Sequence, residues 1–179
     1  MRRGVCIIEC LDEKTDPGSE GRALKEVFNL MEVESKLATV TSINELLETI
    51  AQSKFQHIHI SAHGAVSKAK RFRGWWTPHG SGTKQIVGAC EIKLTCTSIV
   101  STACRSGANE FARYVTNEWG SKYYIAPAGS PRFYNALLFS HIYYHKLFKT
   151  KGTVAKAFAS YAETYKNPHG FAIYKRSAI

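Results

Sequence analysis

Two rhythms of apolar residues run along this chain. Short, nearly continuous apolar runs, several rich in β-branched residues, predict strands at 5–11 (VCIIECL), 37–40, 55–61, 98–103, 123–126 and 171–174. Between them, apolar residues recur at three and four positions, the repeat of one helical face. Leu24, Val27, Phe28 and Met31 form one such face, and Ile43, Leu46, Leu47 and Ile50 another. Ser42, with Glu45 three residues on, reads as the capping box that starts the second helix. Phe111, Val115 and Trp119 lie one turn apart and predict a helix over 110–119. Pro131 suits the first turn of a helix running to Phe148. Val154, Ala157, Phe158 and Tyr161 mark one more helix.

The stretch after the first strand, DEKTDPGSEG, is a turn-rich loop. The least regular region is 65–95, where a basic run (Lys68, Lys70, Arg71, Arg73) precedes GWWTPHGSG and a β-hairpin is expected. Strands apolar along their length, alternating with amphipathic helices, indicate an α/β fold whose mostly parallel sheet is covered on both faces. With no internal repeat, low-complexity tract or linker, residues 1–179 read as a single domain.

Composition narrows the picture. Of 179 residues, 44% are apolar and 21% charged, enough for a core and unlike a disordered chain. Lys and Arg number 24 against 14 Asp and Glu, a net charge of +10 that favours acidic partners. The apolar run at 5–8 is too short for a secretory signal, and no run of about 18 apolar residues suggests a membrane span. A cytoplasmic protein with reduced thiols is therefore expected. The odd set of Cys6, Cys10, Cys90, Cys96 and Cys104 argues against a disulfide framework. The Cys6/Cys10 and Cys90/Cys96 spacings miss the tight C-x₂-C pattern and lack an H-x₃-H companion, so no metal or cofactor is expected.

Two strands end in reactive side chains: IHISAHG at His63 and SIVSTACRSG at Cys104. In an α/β sheet, ligands gather at the carboxyl ends of strands. A cysteine there needs a nearby base to become a nucleophile, and a histidine from a neighbouring strand end supplies one. A Gly after His63, and another three residues after Cys104, allow tight turns and close approach of a substrate. His57 and His59 share one strand face and read as hydrogen-bonded core residues. Tyr134, Tyr143 and Tyr144 read as core and rim.

The paired motifs resemble the caspase-like cysteine peptidases. Their strand–His-Gly is followed by strand–Ala-Cys-x-Ser-Gly, here 41 positions apart, within SAHG and STACRSG. Those two segments look closest to the bacterial CHAT branch. ALLFSHIYYHKLF and TVAKAFASYA are similar to that branch's two late helices, and NPHGFAIYKR to its closing strand, so the resemblance covers residue 38 onward. It implies a three-layer caspase-like sandwich and an endopeptidase that cuts a specific partner protein. Cys104 would be the nucleophile and His63 its acid–base partner. The Gly64 and Cys104 N–H groups would form the oxyanion hole. Thr102, Arg105 and the Ala128-Gly129-Ser130 segment would line the substrate pocket. No third catalytic residue is evident. The resemblance further implies a defence or cell-death setting, with a gasdermin-like or other effector as substrate and an activating partner protein.

Thr102 and the 128–130 wall are small and neutral, and Glu91 is the one acidic residue between His63 and Gly107. An uncharged residue before the cut is therefore expected, an acidic one second through Arg105 or Arg132, and a basic one last. Two rival readings stay open: a catalytically inactive caspase-like binding domain, and a basic nucleic-acid-binding domain with Trp75 and Trp76 behind the basic run. The intact His63/Cys104 pair weighs against the first. The lack of a basic helix, zinc finger or RNP-like motif weighs against the second.

Overall fold

A computed structural model of the chain describes residues 1–12, 16, 20–81 and 91–177. Its first half runs β1 (Arg2–Glu9), α1 (Glu20–Leu30), β2 (Ser35–Thr39), α2 (Ile43–Gln52) and β3 (Phe55–Ser61). A small antiparallel unit follows, β4 (His63–Val66), β5 (Phe72–Thr77) and β6 (Gly80–Ser81). The rest is β7 (Ser98–Ser101), α3 (Asn109–Arg113, continued by a π-helical turn Tyr114–Glu118), β8 (Tyr123–Pro127), α4 (Phe133–Phe148), α5 (Val154–Tyr165) and β9 (Phe171–Lys175).

The main sheet has the order β2-β1-β3-β7-β8-β9, parallel throughout except for β9, which pairs antiparallel with β8. Side chains alternate across it, and each face is buried under its own layer. Cys6, Ile8, Ile58, Ile60, Ile99 and Tyr124 pack with α2, α3 and the β4–β5 hairpin. Val5, Ile7, Val100 and Ile125 pack under α1, α4 and α5. This is the three-layer α/β/α sandwich expected, with both faces of a mostly parallel sheet covered.

Local signals explain most boundaries. Ser42 accepts from the Glu45 N–H while the Glu45 carboxylate accepts from the Ser42 N–H, completing the capping box of α2. Thr153 caps α5 through the Lys156 N–H. At α4 the structure differs slightly: Arg132 is the N-cap, and Pro131 lies one residue before it rather than in the first turn. The hairpin starts at His63 itself, earlier than expected, so the basic run forms its exposed tip. There Lys70 takes φ = 57° and Ser67 bonds back to Arg71. Trp75 is fully buried edge-on against Phe111, 4.9 Å between ring centres, so it is core and not a surface for stacking bases. Among the described residues, no helix is long and apolar enough to cross a membrane.

Candidate active site

Because β3 and β7 are adjacent and parallel, their carboxyl ends emerge side by side. After β3 ends, Ala62 leads into β4 and puts His63 at the sheet edge. Beyond β7, Thr102 leads into a tight turn over 103–107 that carries Cys104. That turn is held from several sides. Ser106 donates to the Ala103 carbonyl (2.7 Å), and its hydroxyl lies 3.0 Å from that of Ser101. Trp75 Nε1 donates to Ser101 (2.9 Å), and the Tyr124 hydroxyl to the Ser106 carbonyl (3.1 Å). Tyr174 donates to the Gly107 carbonyl. Arg105, directly after the cysteine, takes φ = 60°, a left-handed conformation costly for a residue with a Cβ, and its N–H donates to the Gly129 carbonyl (2.8 Å).

Gly64 ties the two strand ends together. A Cβ on it would lie 2.0 Å from the Cys104 carbonyl oxygen and 3.1 Å from the Cys104 nitrogen. The two backbones therefore touch, and only glycine permits it. His63, Thr102 and Cys104 line one cleft of about 540 Å³, with Ala62 and Phe133 among its walls. Among the described residues, no hydrogen bond joins His63 to the Cys104 thiol, as is common before a substrate closes such a site.

His63 is fixed by a carboxylate and two aromatic rings. Its Nε2 lies 2.9 Å from Asp16 Oδ1, and its ring sits between Trp76 (5.7 Å) and Phe133 (5.3 Å). A carboxylate only accepts, so Nε2 donates and Nδ1 is left as the basic nitrogen of the neutral ring. The motifs around His63 and Cys104 give no sign of such a third residue. Asp16 lies in the loop after β1; β1 runs parallel beside β3, so that loop leaves the sheet at the same end as His63.

A second acidic residue lines the cleft. Glu20, the first residue of α1, is 3% exposed and lines the same cavity. Oε1 accepts from His59 Nε2 (3.1 Å) and Ser140 (3.1 Å); Oε2 accepts from Thr102 (2.7 Å) and Ser61 (3.3 Å). The other nitrogen of His59 lies 3.3 Å from the Tyr144 hydroxyl. His59 is thus a buried, hydrogen-bonded core residue, as is His57 with Ser98 (2.8 Å). Burial holds the His57 imidazole down at about 4.

The remaining expected pocket residues sit elsewhere. Arg105 turns away from the cleft: its guanidinium reaches the Lys70 carbonyl, and with Ala128 it lines a neighbouring groove of about 570 Å³ beside Lys70, Arg71 and Arg73. Gly129 bridges Arg105 and His169 through its backbone, and Ser130 is exposed. The wall facing His63 and Cys104 is formed by Pro131, Arg132, Phe133 and Tyr134. Cys104 is partly exposed, whereas Cys6, Cys10 and Cys96 are buried, and burial pushes all three thiols up. Cys90 lies outside the described residues.

No protein-family model matches this chain, and no curated protein sequence matches it. Among solved structures, it is similar to the Saccharomyces cerevisiae separase–securin complex, with a TM-score of 0.64 and 12% sequence identity. The match takes in 97% of this chain and 12% of that one, so the chain spans about an eighth of its neighbour's length. Separase carries a caspase-like fold, and so does this chain. At this identity the likeness extends to the fold; it does not single out the CHAT branch.

Proposed function

We propose that this chain is a cysteine endopeptidase that cuts a partner protein with Cys104, His63 and Asp16. One observation carries the reading: in a caspase-like fold, the partly exposed thiol lines the same cleft as an imidazole of which one nitrogen is held by a carboxylate. Asp16 holds the tautomer and ring position, so Nδ1 takes the thiol proton. The thiolate attacks the substrate carbonyl. Its oxygen collects negative charge, which the Gly64 and Cys104 N–H groups stabilise, worth roughly 3–4 kcal/mol per donor in comparable sites. The C–N bond then breaks as His63 returns the proton to the leaving amine. Water, deprotonated by His63, hydrolyses the thioester and regenerates the thiol.

The motif resemblance supports the finer reading of a CHAT-type peptidase in a defence or cell-death module, acting on a gasdermin-like effector under the control of an activating protein. The fold neighbour was solved with a protein partner, securin, which fits a chain controlled by protein contact. Between Cys104 and β9 the acidic residues are Glu110, Glu118 and Glu163, all in helical segments. Activity as an uncut chain fits this arrangement better than self-cleavage after an acidic residue. The test is incubation with a peptide library and with candidate partner proteins. Wild type should cut, Cys104→Ala and His63→Ala should not, and both variants should keep the wild-type circular dichroism. Cleavage by Cys104→Ala would overturn the assignment.

A further inference from the structure

We infer that the cleft beside Cys104 selects a basic side chain, Arg or Lys, immediately before the cut, with Glu20 as its counter-charge. The inference rests on the peptidase reading and deepens it. It reverses the expectation, drawn from Thr102 and the 128–130 segment, of a neutral pocket.

The cleft combines two features that a long cationic side chain needs. Its walls include Ala62, Pro131, Phe133 and Ala136, apolar surfaces suited to a methylene stem. Glu20, 3% exposed, lines the same cleft. The groups donating to Glu20 are three hydroxyls and one imidazole; among the described residues, no Lys or Arg lies within ion-pair distance of it. The one titratable donor on Glu20 is His59; with no Lys or Arg beside it, a buried carboxylate that lines a cavity is placed to receive a cation delivered through that cavity. The three hydroxyls are rotors. Each can turn from donor to acceptor as a guanidinium or ammonium arrives, so the cation enters without stranding any of them.

The same geometry rejects the alternatives. An acidic side chain would meet Glu20 as a like charge where water is scarce. Arg132, also on the cleft wall, is solvent-exposed, and an exposed charge is worth much less than a buried one. An aliphatic side chain would fill the walls and leave Glu20 as it stands, so it binds without the ion-pair gain. Thr102 acts indirectly: its hydroxyl aims Oε2 by the 2.7 Å hydrogen bond and does not itself carry the selectivity.

The experiment reads covalent capture of Cys104 and needs no natural substrate. Peptidyl chloromethyl ketones of one sequence, differing only in a terminal Arg, Lys, Leu or Asp, are reacted with the full chain, and labelling of Cys104 is timed by peptide mass spectrometry. The Arg and Lys reagents should label at least about tenfold faster than Leu, with Asp slowest. Glu20→Gln should reduce the Arg-to-Leu rate ratio to near one. If Glu20→Gln does not fold, the wild-type ranking stands as the test and Glu20→Asp replaces the variant. Labelling of Cys104 without preference, or fastest with Leu or Asp, overturns the basic-pocket inference and leaves the peptidase reading intact. Failure of every reagent to label Cys104 above the buried thiols overturns the peptidase reading, and this inference with it.

Discussion

Replacing Gly64 by Ala tests whether the contact between the two strand ends builds the site. The new Cβ would lie 2.0 Å from the Cys104 carbonyl oxygen, 2.9 Å from its carbon and 3.1 Å from the Cys104 nitrogen. A carbon–oxygen contact settles near 3.3 Å even when attractive. The overlap is therefore about 1.3 Å, and all three atoms are backbone, so no side chain can rotate away. One strand end must move by about 1 Å. Overpacking of this kind costs about 1–3 kcal/mol of stability. A reacting group displaced by 1 Å loses about 10²-fold in rate. Two measurements separate the effects: urea midpoint for stability, and both kcat/KM and the iodoacetamide rate at Cys104 for the site. Gly80→Ala is the control. It meets no atom within 4 Å, yet sits at φ = 139°, so it should lower stability without touching the thiol. The expected result is a fall of about 100-fold in kcat/KM for Gly64→Ala and little change for Gly80→Ala. Wild-type kcat/KM and wild-type alkylation in Gly64→Ala would refute the close packing of His63-Gly64 on the nucleophile turn.

Iodoacetamide should modify Cys104 well before Cys6, Cys10 or Cys96, whose thiols are buried and pushed up by burial; equal rates would remove the case for an active thiol. Asp16→Asn should lower kcat by about 10²–10⁴-fold with KM nearly unchanged, because the amide no longer selects the tautomer, and a rise in KM alone would assign Asp16 to substrate binding. His57 is held at about 4 against an ordinary 6.5, so its neutral state contributes about 3 kcal/mol in full above pH 6.5 and loses it as pH falls toward 4; urea titrations of wild type and His57→Gln should diverge in that window, and parallel acid slopes would disprove it. Cleavage should weaken as salt rises, and joint replacement of Lys68, Lys70, Arg71 and Arg73 should raise KM more than it lowers kcat, whereas tight salt-sensitive binding of bare RNA would favour the nucleic-acid reading.

Elements whose packing is written in their own residues are legible from the sequence alone. Strand β3 occupies 55–61 as its pattern predicts, because its residues are apolar or hydrogen-bonding on both faces and follow the polar end of α2. The capping box of Ser42 and Glu45 marks α2 to the residue. Boundaries shift where tertiary contacts decide. Strand β7 stops at Ser101, because the next residues turn to present Cys104 and are held by Tyr124 and Tyr174 from other elements. Helix α1 begins at Glu20, four residues before its first large apolar position, Leu24. What fixes that first turn is a carboxylate buried by Ser61, Thr102 and Ser140, a set of partners invisible in local spacing.

The site divides along the same line. His63 and Cys104 stand out because each follows a buried strand and precedes a glycine, a pattern local to its own segment. Asp12, Glu13, Asp16 and Glu20 fall within nine positions of the sequence, and nothing in their spacing separates a partner for His63 from solvated charge. Topology separates them. Once β1 is known to lie beside β3 and parallel to it, the chain leaving β1 must emerge where β3 delivers His63. Asp16 in that connection and Glu20 at the start of α1 then supply charge to the imidazole and to the pocket. The expectation of a neutral pocket has its root here: it weighs residues near Cys104 in sequence, between 63 and 132. The charge that faces the cleft comes from 84 positions upstream of Cys104 (104 − 20), carried there by one parallel strand pairing. In a fold of this kind, a pocket's electrostatics belong to the loops after neighbouring strands, so strand order has to be known before specificity can be read.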